Sequence, residues 1–305
     1  MENRSSALCA LSPPTALTLL PSDPACAGPF QTAFWLTLPH GVAVGIALPE
    51  HPGAGGQAVP ESVLARLLPE ERAIARTLRG HRVLRWVGGR LALHEALRHL
   101  WADPVPLLPL PGGGVEGPPG FTVSVSHKRT LAVGMAARSA GGTLGVDLED
   151  VMPTRLHVAP VVLRPEEIDL VRHLSPERRW LSMLVRFSIK EALYKALFPH
   201  LSRFVGFQEA FVVLAPNGSA RVQLSLEGQE GPFRVEARYH WLPGRVLSSV
   251  RVWPEASRST QQSPAGAASG LPDDAGGTAQ GNGSLARGGP LSYTDAPPHP
   301  EHLHG

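Results

Sequence analysis

Phe187-Ser-Ile-Lys-Glu-Ala-Leu-Tyr-Lys-Ala-Leu197 is the stretch around which the chain is read. Ile189, Ala192, Leu193, Ala196 and Leu197 recur at three- and four-residue spacing, and Lys190, Glu191, Tyr194 and Lys195 gather on the other side. With Ser175 as N-cap, Pro176 in the first turn and Pro199 closing it, the segment predicts a helix of about five or six turns. Glu191 and Lys195, four apart, lie side by side; an isolated pair of this kind is ordinarily a solvated surface ion pair. Its meaning depends on two other blocks, Val123-Ser-Val-Ser-His127 and Gly145-Val-Asp-Leu-Glu149.

The chain has 305 residues, a formal charge of +2, 32 glycines and 31 prolines. That length suits one large or two modest domains, and so small a charge gives no case for bulk nucleic-acid binding. Cys9 and Cys26 are the only cysteines, too few for a disulfide framework or a cysteine zinc site. Pro13, Pro14 and Pro21 interrupt the one leader stretch that resembles an export signal. No apolar run reaches the roughly 18 residues of a membrane helix, so no membrane span and a cytoplasmic location are expected.

Residues 1–30 read as a disordered leader. Ala33–Leu38 and Val42–Leu48 read as strands, then Pro60–Leu68, Pro69–Arg79 and about His81–Trp101 as helices. Phe121–Ser126, Leu131–Ala136 and Gly142–Leu148 follow as strands, and after the central helix come four more β-like runs at 207–214, 220–226, 233–240 and 246–253. From 255 to 305 a Gly/Ser/Pro-rich composition predicts a disordered tail. The order of elements suggests an α+β fold, pseudo-duplicated in two lobes at 31–140 and 141–254, each with helices packed on a small antiparallel sheet. No repeat at sequence level stands out in support.

Period-two geometry sends Gly145, Asp147 and Glu149 to one face of their strand, a pair of carboxylates suited to a hard cation such as Mg2+. On the helix near residue 85, Arg82, Arg85 and Gly89 share a side with Arg90 at its margin. Guanidinium groups around a residue without a side chain would suit a phosphate. His127, followed by Lys128, ends a strand whose alternate members Ser124 and Ser126 are small and polar.

Ser-His, then Gly-x-Asp-x-Glu, then Phe-Ser-x-Lys-Glu-x-x-x-Lys, in that order, resembles the 4′-phosphopantetheinyl transferase superfamily. The Arg85-x-x-x-Gly-Arg90 helix is similar to the enterobactin-synthetase-associated, Sfp-type branch. The resemblance covers about residues 55–215. It implies Mg2+-dependent transfer of the phosphopantetheine arm from coenzyme A, as co-substrate, to a serine of an apo acyl or peptidyl carrier protein, leaving 3′,5′-ADP. It further implies Asp147, Glu149 and Glu191 as metal ligands, with Glu191 also the base. Lys190 and Lys195 would lie on the diphosphate, and His127, Ser126, Arg85, Arg90 and Arg82 around the nucleotide. Glu167 is implied as an additional catalytic acid. Glu70-Glu71-Arg72 departs from members that carry lysines in the first helical region. A monomer serving siderophore, polyketide or fatty-acid synthesis is expected. The alternatives are a non-catalytic binding module of the same fold and a Mg2+-dependent phosphohydrolase.

Overall fold

The computed structural model describes residues 28–50, 59–111 and 113–255. Strand β1 (Thr32–Leu38) turns through Pro39 and His40 into β2 (Gly41–Ala47). Then come α1 (Glu61–Leu64), α2 (Pro69–Thr77), α3 (His81–Arg98), β3 (Phe121–His127) and β4 (Leu131–Arg138). These strands form an antiparallel sheet in the order β1-β2-β4-β3. The chain continues through β5 (Thr143–Asp150), α4 (Ala159–Val162), α5 (Pro165–Val171) and α6 (Pro176–Leu201). It then runs through β6 (Ala210–Leu214), β7 (Ser219–Leu224), β8 (Phe233–Leu242) and β9 (Arg245–Pro254). The second sheet has the order β5-β9-β8-β7-β6, so the fold is α+β with one long helix against each antiparallel sheet.

Three apolar layers hold it together. Val42, Val44 and Ile46 of β2 meet Val83, Val87 and Leu91 of α3. Alternation sends Ala43 of β2, with Val133 and Met135 of β4, to the opposite face, where they meet Leu144, Val146, Leu148 and Leu247 from the second sheet. Beyond that sheet, Val246, Val250 and Val252 pack on Ile189, Leu193 and Leu197 of α6. One strand, β5, therefore faces the inter-sheet core with Leu144, Val146 and Leu148, and α6 with Gly145, Asp147 and Glu149.

Side chains join the two sheets where β3 lies beside β5. Ser124 Oγ accepts from Val146 N at 3.0 Å and Ser126 Oγ from Leu148 N at 3.2 Å, satisfying donors on β5 that its ladder with β9 leaves open.

Some boundaries differ from the sequence reading. Helix α6 runs through Pro199 to Leu201, ending where Ser202 takes φ 52° and donates its N–H to Phe198 O. A proline costs little in a last turn, where few intrahelical bonds remain to be lost. Phe207–Glu209 is a 3-10 turn rather than the start of a strand. Phe30, assigned to the leader, is buried in the first core and bonds Ala47 O through its N–H. The remaining leader expectation, both cysteines and nearly all of the tail lie outside the described residues. Among the described residues no helix is long and apolar enough to cross a membrane.

The two halves repeat, and aligning their elements shows the repeat in the sequence. Leu67-x-Pro-Glu-Glu71 matches Leu163-x-Pro-Glu-Glu167 at the N-termini of α2 and α5. Arg90-x-x-x-His-Glu-Ala-Leu97 matches Arg186-x-x-x-Lys-Glu-Ala-Leu193 in α3 and α6, and Gly45-x-x-Leu48 matches Gly145-x-x-Leu148 at β2 and β5.

His40 is buried between the halves with Nδ1 2.9 Å from Ser249 Oγ. Burial, then the charges of Arg238 and Arg251, lower its pKa from 6.5 to about 4, outweighing the bond to Ser249. Because the unfolded chain takes this proton first, His40 contributes full stability above pH 6.5, and that stability is lost as the pH falls toward 4. His200 and His240, also lowered by burial, act in the same direction. Denaturant titrations from pH 7.5 to 4.5 should show a loss of about 3 kcal/mol that His40→Gln removes from the total; an unchanged slope in that variant would contradict the assignment.

Candidate active site

Gly145 sets the distance between β5 and α6. A Cβ there would collide with the carbonyl oxygen of Ala192, so the helix backbone rests directly on the strand. One helical position before Ala192 is Glu191, and one turn after Glu191 is Lys195. Lys195 Nζ donates to Val146 O at 2.9 Å and to Asp147 Oδ1 at 3.0 Å. Ser126 Oγ donates to the same Oδ1 at 3.0 Å. On the strand's other acidic position, Lys128 Nζ lies 2.6 Å from Glu149 Oε1.

Asp147, Glu149 and Glu191 are all buried. Burial first, then the charge of Asp147, pushes the Glu149 carboxyl up to about 8, with Lys128 opposing and Glu191 adding to the rise. The same two causes push Glu191 up to about 7 against Lys195 and Lys128. Two buried acids raised by the charge of a third carboxylate mark a site short of positive charge. Asp147 Oδ2 is buried without a hydrogen-bond partner, as is the hydroxyl of Ser248 opposite it in the ladder. Hard oxygen donors, an orphaned carboxylate oxygen and mutual repulsion fit a divalent hard cation. As the side chains stand, no group of three or more His, Cys, Asp or Glu residues among those described is gathered to hold one. Lysines are bonded to Asp147 and Glu149 instead.

Other implied site residues take different places. Glu167 is fully buried, accepting from Arg164 N at 2.8 Å, Val212 N at 2.7 Å and Lys190 Nζ at 2.6 Å. Lys190 gives its remaining protons to Val162 O and Phe207 O, and burial holds its ammonium below the usual lysine range despite Glu167. Arg186 Nε completes the brace on Val212 O. Glu167 and Lys190, implied as a catalytic acid and a diphosphate contact, here tie α5, α6 and β6 together.

The first half repeats this brace. Glu71 accepts from Leu68 N, Leu107 N and His94, while Arg90 Nε donates to Leu107 O at 2.6 Å and stacks on Trp86. Arg90 is buried in this brace, and Glu71, at the point of departure from the family pattern, belongs to it as well. Gly89 is not an opening for phosphate, since a Cβ there would meet Val125 at 2.9 Å. Ser126 bonds both the seam and Asp147. Arg82 is exposed and Arg85 half-buried on α3. Gly88 faces Ala132, the ladder partner of His127, which puts Arg85, on the preceding turn, at the His127 end of the sheet.

Only one half carries the acids. In the repeat, Ala47 and Pro49 stand where the second half has Asp147 and Glu149, while Glu95 and His99 match Glu191 and Lys195. Glu95 is bonded to Arg98 at the surface.

The profile of the 4′-phosphopantetheinyl transferase superfamily matches residues 143–247. The chain is 27% identical to 4′-phosphopantetheinyl transferase Svp of Streptomyces mobaraensis over 70% of its own length and 90% of that protein's. It is 28% identical to 4′-phosphopantetheinyl transferase PptT of Mycobacterium tuberculosis over 60% of its own length and 85% of that protein's. Among solved structures, holo-(acyl-carrier-protein) synthase of Thermotoga maritima matches 37% of this chain and 63% of its own at 20% identity and a TM-score of 0.31. The chain is thus similar to the 4′-phosphopantetheinyl transferase superfamily, in its Sfp-like branch, and is a transferase.

Glu167→Gln leaves Lys190 buried beside a neutral partner, a change of the kind that costs about 3–5 kcal/mol. A melting curve should show that loss, and kcat per folded molecule below the melt should stay within about twofold of the parent. A collapse in kcat without loss of stability would restore Glu167 to the chemistry.

Proposed function

We propose that the chain transfers the 4′-phosphopantetheine arm of coenzyme A to a serine of an apo acyl or peptidyl carrier protein, with Mg2+ as the working ion. The observation that carries this reading is that the buried carboxyls of Glu149 and Glu191 feel the charge of buried Asp147, while Lys195 and Lys128 pair with Asp147 and Glu149. Svp and PptT, named for this activity, support it.

Asp147, Glu149 and Glu191 would hold Mg2+, which when bound would neutralise charge on the diphosphate as its anhydride bond breaks. The acceptor serine oxygen bonds to the phosphorus bearing the pantetheine arm, and the bond from that phosphorus to the nucleotide's bridging oxygen breaks. The products are holo-carrier and 3′,5′-ADP. Glu191 takes the serine proton, directly or through water. Lys195, fixed by Val146 O, presents its ammonium to the leaving phosphate. Ser126 orients Asp147 from the neighbouring strand. His127 and Arg85, at one end of the first sheet, meet the nucleotide's 3′-phosphate, with Arg82 outside them. The enzyme acts as a cytoplasmic monomer, and a panel of apo-carriers assigns it to siderophore, polyketide or fatty-acid synthesis.

The test is incubation with coenzyme A, Mg2+ and purified apo-carrier, read by mass spectrometry of the carrier. The parent should add one phosphopantetheine per carrier, and Asp147→Asn and Glu191→Gln should each slow this by about a hundredfold or more. Coenzyme A binding without any mass gain in the parent, or undiminished transfer by either variant, would overturn the reading.

A further inference from the structure

Lys128 is a half-buried cation that the transfer chemistry above leaves without a task. It follows His127 directly and opens the turn between β3 and β4, its own N–H bonded to Leu131 O at 2.8 Å. That turn is pinned from the second half. Arg245 donates to Thr130 Oγ1 at 2.9 Å and to Asp150 Oδ1 at 2.7 Å, so any movement of Lys128 falls to its flexible four-carbon stem. Its side chain and that of Glu149 are only 16% and 10% exposed. Burial weakens the ammonium, but Glu149, Asp147 and Asp150 outweigh it and hold the group above the usual lysine range. Lys195 has a main-chain anchor on Val146 O besides Asp147, whereas among the described residues the Lys128 ammonium is hydrogen-bonded to Glu149 alone.

A divalent cation coordinated by Glu149 would stand within a few ångströms of this ammonium in a poorly solvated site, where like charges repel strongly. We propose that Lys128 is an exchangeable internal counter-ion: it holds Glu149 in the metal-free protein and turns to the anionic co-substrate when the cation takes Glu149. Binding of the metal and of the diphosphate are then coupled through one side chain. This rests on the metal reading of the site given above. In the metal-free protein the tethered ammonium competes with the incoming ion; with both ligands bound it is released to phosphate oxygens beside His127. Each ligand therefore strengthens the other, by the same factor in both directions.

Calorimetric titration of the full chain with Mn2+, with and without coenzyme A, tests this in the parent, Lys128→Met and Lys128→Arg. Lys128→Met should bind Mn2+ about fivefold more tightly without coenzyme A, and the strengthening that coenzyme A confers should shrink by about the same factor. Lys128→Arg, able to grip Glu149 with two donors, should bind Mn2+ more weakly than the parent. Unchanged Mn2+ affinity in Lys128→Met, or an unchanged coenzyme A effect, overturns the proposal. Should Lys128→Met not fold, undiminished affinity in Lys128→Arg overturns it as well. A parent that binds no Mn2+ with or without coenzyme A would defeat the metal reading itself, whereas normal parent binding with indifferent variants defeats only the role of Lys128.

Discussion

The closeness of α6 to β5 at Gly145 is the constraint on which the site depends. No side chain larger than hydrogen fits beneath the Ala192 carbonyl, and the helix laid there carries Glu191 and Lys195 over a strand that carries Asp147 and Glu149. The first half uses the same device at Gly134, where a Cβ would strike the backbone of Ala92 and Leu93. With Ala47 and Pro49 at the matching strand positions, that approach builds apolar core and no acidic site.

Burying three carboxylates together is unfavourable unless positive charge accompanies them. Here Lys195 and Lys128 supply it, one from α6 and one from the turn after β3, so groups from both halves enclose the acids. The serine seam between β3 and β5 fixes the relation of those halves, and Ser126 contributes to both seam and site. Elsewhere buried charge is structural. Glu167 with Lys190 and Arg186, and Glu71 with His94 and Arg90, each lock a short helix to a long one and to the segment that follows.

Much of this was legible in the sequence because periodicity is local. Alternation at Gly145-Val-Asp-Leu-Glu149 predicts two acids on one face, and the spacing of Glu191 and Lys195 predicts that they share a side; the structure agrees with both. Burial by distant elements is not local. Lys190 is next to Glu191 in sequence, yet a step of one residue turns it toward Val162 and Phe207, and nothing in the pattern of α6 tells which flank the rest of the chain covers. Arg90 looked like part of an exposed basic face because its cover, Leu107, comes from a Pro/Gly-rich loop with no periodicity. The halves share only scattered positions, so the repeat shows in the sequence only when Arg90-x-x-x-His-Glu-Ala-Leu97 is set beside Arg186-x-x-x-Lys-Glu-Ala-Leu193, a match that also pairs Arg90 with the buried Arg186. Lys128 was visible only as a neighbour of His127, because its pairing with Glu149 depends on how the two sheets meet.

Anomalous diffraction from crystals grown with Mn2+ and coenzyme A tests the central claim most directly. The account predicts one strong peak coordinated by Asp147, Glu149 and Glu191 and by the diphosphate. A peak elsewhere, or none at saturating Mn2+ with Lys128 and Lys195 still bonded to the carboxylates, would contradict it.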